Sequence, residues 1–433
     1  MITNEKKTVA FKTLGCRLNQ YETDALVTDF SNAGYELVDY NASPDVVIVN
    51  TCTVTNQSDT KSRSVISQTV RKAKNAVVVV TGCMANNFKE KLERQDNITF
   101  VVENSRKSSI LTLVDSHFSG EIVHPDQLPQ DVFRYEPVRK SLHTRSAIKI
   151  QDGCDNFCTF CIIPMVRGLA TSRPVADVLE SVRKTVENGF KELVITGVNI
   201  GRYEDGAVKF ENLLTMILEL PGDFRVRISS LEPDGFGDDF VKLFAHPKLM
   251  PHLHLCLQSG SDKTLLRMRR MYDVAQFRKT VKQFRAIYSD FNFTTDIIVG
   301  FPGETEEEFQ QTLDAVNEFN FSHIHTFKYS VRKGTRAERL ENHLSEKVKN
   351  ERSLLVRNLS VENKMNYFKS LIGQKQDVLI EKITQGTASG YGQHYAPIRF
   401  KITNGQRNTI QTVRLTELIG DDENCYLAGE LVL

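Results

Sequence analysis

Two kinds of segment alternate over the first hundred residues, and that alternation limits the fold more than any other feature of the chain. Residues 46–50 (Val-Val-Ile-Val-Asn) and 77–80 (four valines) are apolar almost without a break, as in strands covered on both faces. Residues 9–13 read as a third strand. Between them, 19–32 carries Leu26, Val27 and Phe30 on one helical stripe with Gly34 just beyond its end, and 59–74 is a polar helix that turns Val65, Ile66 and Val70 inward. Strand, helix, strand, helix, strand implies a doubly wound parallel sheet. Each strand leads into a small residue and a cysteine: Gly15-Cys16, Thr51-Cys52 and Gly82-Cys83. Right-handed crossovers put the carboxyl ends of parallel strands on one edge. Three thiols far apart in sequence therefore converge where α/β sheets bind ligands. One buried structural cysteine would mean little. Three at the same place in successive units point to an iron–sulfur cluster with three protein ligands and one open iron.

A second trio is local. Cys154, Cys158 and Cys161 lie in Gly153-Cys-Asp-Asn-Phe-Cys-Thr-Phe-Cys161, and C-x3-C-x2-C spacing holds one cluster while leaving its fourth iron without a protein ligand. A ferredoxin run adds a fourth Cys followed by Pro; here Ile162 and Ile163 follow. An electron carrier gains nothing from an open iron, whereas an enzyme can bind a small molecule there. Structural zinc needs four ligands, and His143 is the nearest upstream candidate. A disulfide framework does not suit a chain this long without a secretory signal.

Residues 120–143, with Pro125, Pro129 and Pro137, read as a linker. Beyond it, candidate strands at 147–151, 193–196, 226–230, 252–258, 294–299 and 323–329 alternate with helices near 175–188, 208–219, 238–246, 274–289 and 305–319. Six β/α units suit an open, partial TIM-type barrel, whose chemistry sits at the strands' carboxyl ends. Several of those ends are polar or glycine-rich: Gly197 and Asn199, Ser230 and Glu232, Gln258, Gly300. Together they suit an amino acid and a ribose, although each alone suits a turn or a cap. Phe160 suits an adenine contact or core packing equally. Cys256, His252 and His254 read as interior filling and Cys425 as packing. A helix at 346–370 precedes a tail of alternating segments (377–381, 396–402, 408–414, 430–433) punctuated by glycines, which fits a small five-stranded barrel. The expected domains are 1–125, 140–370 and 371–433.

The net charge is only +1, but Lys and Arg concentrate in 263–285 and 328–370. These stretches are either solvated helix faces or a footprint for a phosphate backbone. On the second reading, Arg332 and Lys333 contact nucleic acid. The N-terminus has no signal-peptide pattern and no apolar run reaches membrane-spanning length. With free thiols, that suggests the cytoplasm.

The C-x3-C-x2-C loop resembles that of radical S-adenosylmethionine (SAM) enzymes. The six cysteines in this order, with Gln258-Ser-Gly-Ser-Asp262 and Gly300-Phe-Pro-Gly-Glu-Thr305, resemble the methylthiotransferases of that superfamily over the whole chain. The resemblance implies a cluster-binding N-terminal domain, a radical SAM domain, a TRAM-like RNA-engaging tail, two [4Fe-4S] clusters, SAM, and an electron donor such as a flavodoxin or ferredoxin. It implies that Cys16, Cys52 and Cys83 hold one cluster and Cys154, Cys158 and Cys161 the other. Thr13-Leu-Gly-Cys-Arg-Leu-Asn-Gln-Tyr-Glu-Thr23 and the cluster loop most resemble members that act on N6-threonylcarbamoyladenosine at position 37 of tRNA, through the anticodon stem-loop. Members acting on isopentenyladenosine-37 or on a ribosomal-protein aspartate resemble it less. Met165 and Leu169-Ala-Thr171 depart from the family's pattern beside the loop.

Overall fold

Val46–Thr51 and Val77–Gly82 are buried at every residue, because each lies inside a sheet with packing on both faces. A computed structural model describes residues 6–135, 143–421 and 424–432. Within its first compact unit the elements run β1 (Thr8–Thr13), α1 (Arg17–Asn32), β2 (Glu36–Leu37), β3 (Val46–Thr51), α2 (Asn56–Lys72), β4 (Val77–Gly82), α3 (Cys83–Asn87), α4 (Lys89–Glu93), β5 (Phe100–Val102) and α5 (Ile110–Ser119). The sheet order is β2-β1-β3-β4-β5, with every pairing parallel. Alternation along the strands splits the core into two layers. Val46, Ile48, Val77 and Val79 pack with Leu26, Phe30 and Leu113, while Val47, Val49, Val78 and Val80 pack with Ile66 and Leu92. The expected doubly wound sheet is present, with β2, β5 and α5 beyond the elements read from the sequence.

The expected linker is partly a packed strap. Arg106 donates to the carbonyls of Leu128 (3.1 Å) and Asp126 (3.1 Å), and Tyr135 is buried edge-on against Tyr21. One guanidinium thus takes up two carbonyls of the irregular segment. Pro137 and the expected domain start at 140 lie outside the described residues, as does Leu433. The first unit also holds β6 (Ser146–Lys149), β7 (Gln151–Asp152), α6 (Ile163–Arg167) and β8 (Thr171–Ser172).

The second unit continues the strand–helix alternation through α7 (Val175–Glu187), β9 (Glu192–Thr196), the short pair β10 (Glu204–Asp205) and β11 (Val208–Lys209), α8 (Phe210–Glu219), β12 (Arg225–Ile228), β13 (Ser230–Leu231), α9 (Asp238–Leu243), β14 (His252–Leu255), α10 (Asp262–Arg267), α11 (Val274–Ile287), β15 (Asn292–Val299), α12 (Glu306–Phe319) and β16 (His323–Lys328). β9 pairs with β12, and β13 to β16 pair in sequence, all parallel. Their carboxyl ends therefore share one rim. α13 (Glu346–Ser370) leads to β17 (Lys375–Thr384), β18 (Thr387–Tyr391), β19 (Pro397–Lys401), β20 (Ile410–Ile419) and β21 (Tyr426–Leu431). These five close a barrel in the order β17-β18-β19-β21-β20. Its core includes Val378, Ile398, Phe400, Val413 and Cys425, sealed by Tyr367 and Phe368 of α13. The sequence reading found the barrel but missed β18, whose Gly390 faces the Leu379 backbone too closely for any Cβ.

A buried charge cluster docks this barrel on the parallel strands. Glu192 accepts from Arg225 Nε (2.5 Å) and Arg227 Nε (2.8 Å). The outer nitrogens of Arg225 donate to Asp377 and Tyr391 carbonyls, and those of Arg227 to Gln393 and Gly392. Burial opposes the charge of Glu192, but Arg225, Arg227 and Arg145 overcome it and draw its pKa down to about 2, from an ordinary 4.5. A carboxyl depressed in the folded state stabilises above its unfolded pKa, and that stability is lost as pH falls through the folded value. Glu192→Gln should therefore lower stability at pH 7, by about 3–5 kcal/mol as for other broken buried pairs. In urea titrations the deficit should shrink between pH 4.5 and 2.

Candidate functional site

The parallel register fixes the first thiol trio. Thr13 is level with Asn50, and Asn50 with Thr81, so the chain leaves β1, β3 and β4 at one edge. Cys16 caps α1 without a side-chain hydrogen bond. Cys52 is buried just after β3, its backbone N–H donating to Ser62 Oγ at 3.2 Å, and burial pushes its thiol up. Cys83 opens α3, with Asn104 Nδ2 3.8 Å from its sulfur. Glycine is needed between β1 and α1. A Cβ on Gly15, at φ +100°, would lie 2.8 Å from Cys52 Cβ and 3.1 Å from its sulfur. The thiol edge thus leaves no side chain over Cys52.

Positive charge surrounds this edge from within the first unit. Glu22 accepts ion pairs from Lys107, from Lys149 (3.0 Å) and from Arg167 (3.0 Å). Asp152 takes Lys149 (2.6 Å) and Arg167 (3.0 Å). Arg167 also donates to Asn19 Oδ1 (2.8 Å), whose amide in turn reaches the carbonyls of Leu14 and Thr51. Burial opposes the charge of Arg167, but Asp152, Glu22, Cys83 and Cys16 outweigh it and hold the guanidinium well above its usual range. Cationic, glycine-cleared and rich in sulfur, the edge suits an anionic cluster. Glu22, Asn19 and Arg167 escaped the sequence reading. Their signal was polar residues on the buried face of α1.

The loop trio is equally prepared. Cys154 sulfur accepts from Asn156 N (3.5 Å), Cys161 sulfur from Ile163 N (3.4 Å) and Cys158 sulfur from Arg270 Nη1 (3.1 Å). One N–H donor per sulfur is what thiolate ligands of a cluster use to spread charge. In the first unit Cys83 packs with Ile162 and Val166, the residues next after Cys161. The sheet edge and the start of α6 are therefore neighbours.

The predicted SAM-binding residues are placed unevenly. Gly197 and the buried Asn199 follow β9, and Ser230 is exposed after β12. Gln258 is buried with a left-handed φ of 67°, its backbone bridging Asp296 and Ile298. Glu232 is engaged by Arg270. Gly300 is needed for packing: a Cβ there would lie 2.4 Å from Lys349 Cγ, and its N–H donates to Glu304. Phe160 lies in a cluster with Met268, Phe301 and Tyr329, and is half-buried, which favours the packing alternative. Cys256 is buried, as expected of interior filling. Its sulfur, His254 and Asp296 bring ligand atoms within 4.8 Å, with His254 paired to Asp296 at 3.2 Å.

Several cations of the basic stretches are paired within the unit. Arg267 pairs with Glu308, Arg278 with Glu318, and Arg352 with Glu304 and Glu306. Arg332, expected at a nucleic-acid surface, is buried. Lys333, Arg336 and Arg339 remain exposed, on the segment whose Ala337 N–H donates to Thr159 of the cluster loop.

Residues 148–316 match the Radical SAM superfamily, and residues 8–103 match "Uncharacterized protein family UPF0004". The fold is also similar to TsrM of Kitasatospora setae, a radical S-adenosylmethionine methyltransferase solved with cobalamin and a [4Fe-4S] cluster (TM-score 0.56, 15% identity, 89% of this chain and 80% of that one). The class is therefore radical SAM, which implies a [4Fe-4S] cluster and SAM. The threonylcarbamoyladenosine tRNA methylthiotransferase MtaB of Thermotoga maritima is 38% identical over 95% of both chains. The tRNA-2-methylthio-N(6)-dimethylallyladenosine synthase of Syntrophus aciditrophicus is 31% identical over 88% of this chain and 85% of its own. The chain belongs to the radical SAM methylthiotransferase family and is a SAM-dependent transferase. Among the described residues no helix is long and apolar enough to cross a membrane.

Arg167→Met would remove one of three cationic partners of Glu22 and one of two of Asp152, leaving each with fewer donors in the interior. It should cost about 3–5 kcal/mol in denaturant unfolding, whereas Arg167→Lys should cost less because one buried charge is kept.

Proposed function

We propose that the protein converts N6-threonylcarbamoyladenosine at position 37 of tRNA to its 2-methylthio form. The observation that carries the reading is the packing of Cys83 on Ile162 and Val166, in the segment that follows Cys161. Within the first unit this brings a thiol of the N-terminal trio against the segment that follows the loop cysteines. The proposed ligands are Cys16, Cys52 and Cys83 for one [4Fe-4S] cluster and Cys154, Cys158 and Cys161 for the other. The domains that go with this are 1–125, 140–370 and 371–433.

With both clusters and SAM bound, those groups supply the methylated sulfur and the radical that lets methylthio replace hydrogen at C2, a position acid–base chemistry cannot activate. The chain's own work is binding and orientation. Asn199, Gln258 and the strand-end backbone line the rim where SAM is held, while Gly197 and Ser230 leave it open. Lys333, Arg336 and Arg339 present positive charge beside the cluster loop to the anticodon stem-loop. A flavodoxin- or ferredoxin-type donor in the cytoplasm completes the reading. The greater identity to the threonylcarbamoyladenosine enzyme than to the dimethylallyladenosine synthase favours the former substrate.

Iron and sulfide analysis after anaerobic reconstitution tests the clusters. About eight irons per chain should fall to about four in a Cys154→Ala/Cys158→Ala/Cys161→Ala variant. About four falling to none would remove the N-terminal centre and the reaction with it. Nucleoside analysis of tRNA incubated with SAM and a reductant should reveal methylthio product from threonylcarbamoyl- but not isopentenyl-adenosine. Replacing Lys333, Arg336 and Arg339 by Gln should weaken tRNA binding and flatten its salt dependence by up to about three charges. An unchanged slope would place the interface elsewhere.

A further inference from the structure

Arg270 is a buried cation of the second unit. It follows Arg269, whose left-handed φ of 60° turns the chain, and its side chain is driven inward although it lies in a stretch that reads as a solvated basic helix. Three of its nitrogen atoms have partners. Nη1 donates to Cys158 sulfur at 3.1 Å, Nε donates to Tyr272 Oη at 3.1 Å, and Nη2 meets the Glu232 carboxylate. Tyr272 Oη in turn donates to the carbonyls of Cys256 (2.7 Å) and Leu257 (2.9 Å) at the end of β14. The adjoining backbone also grips the loop: Thr159 N–H reaches Met268 O (3.1 Å) and Thr159 Oγ1 reaches Arg267 O (2.9 Å). Burial opposes the charge of Arg270, but Tyr272 and Cys158 keep it above its ordinary value.

A buried guanidinium with no solvent to screen it must be balanced by fixed anions. Glu232 supplies one, and Nη1 is aimed at the Cys158 sulfur. Glu232 alone would have sufficed for neutrality in a structural ion pair. The fork aimed at sulfur adds a charge-assisted hydrogen bond to a cluster ligand, and such bonds are among the features that set a cluster's reduction potential.

We propose that Arg270 is a positioning residue of the loop centre. It fixes Cys158 against the ends of β13 and β14, and it stabilises the reduced, more negative state of a cluster bound there. The proposal rests on the reading of Cys154, Cys158 and Cys161 as cluster ligands, but not on the tRNA substrate.

The test uses the full chain with Cys16, Cys52 and Cys83 replaced by Ala, so that one cluster remains, and follows its reduction by electron paramagnetic resonance in a potentiometric titration without tRNA. Arg270→Met should keep about four irons and shift the midpoint to a more negative potential, with altered g-values. Arg270→Lys, which keeps the charge, should recover most of the potential. An Arg270→Met protein with full iron and the parent's potential would overturn the proposal. If that variant cannot be loaded, Tyr272→Phe decides: it removes the acceptor of Nε while leaving the charge, and should give a smaller shift in the same direction. An unshifted Tyr272→Phe would then overturn the positioning role. A parent that takes up no iron would refute the ligand assignment itself, and this proposal with it.

Discussion

Five buried side chains at the edge of the N-terminal sheet, Glu22, Lys107, Lys149, Asp152 and Arg167, set the terms for the first unit. Three are cationic and two anionic, so they carry a net charge of +1 out of water. An uncompensated interior charge is among the most expensive things a fold can hold. Here Arg167 is held charged mainly by Asp152 and Glu22, with Cys83 and Cys16 close enough to add to it. The network ties α1, β7 and α6 together through Glu22, Asp152 and Arg167.

The same device recurs in the second unit with different parts. Arg167 serves one thiol group from behind a carboxylate pair, while Arg270 touches its sulfur directly and leans on one carboxylate, Glu232. In both places a rigid fork was used where a lysine could have supplied charge. Arginine's planar donors can bind two acceptors at fixed angles, and each of these sites asks for that.

Much of this was legible in the sequence. Continuous valine runs gave β3 and β4 to within a residue or two, because a strand buried on both faces has no use for alternation. The convergence of Cys16, Cys52 and Cys83 followed from chain topology alone. The Radical SAM and methylthiotransferase assignments rested on cysteine order, which substitution elsewhere does not blur. What stayed hidden was set by partners distant in sequence. Nothing local distinguishes Arg332, which is buried, from Lys333, which is exposed. Within 263–285, Arg267 and Arg278 find partners in Glu308 and Glu318 of α12, which no local pattern announces. At Gly300 the side-chain direction is taken by Lys349 from α13, a neighbour 49 residues away that no local pattern announces.

The grip of Arg225 and Arg227 on the C-terminal barrel has a consequence for where this protein can be divided. Composition marks a clean border near residue 371, yet four carbonyls beyond it complete the coordination of two arginines before it. A chain ended at that border would leave Glu192 facing three arginines, two of whose forks had lost their acceptors, with the aromatic surface of His252 bared where Tyr395 had stacked. The visible seam in the sequence is thus not a line of weakness in the molecule. The barrel is as much the missing wall of the parallel strands as it is a module of its own.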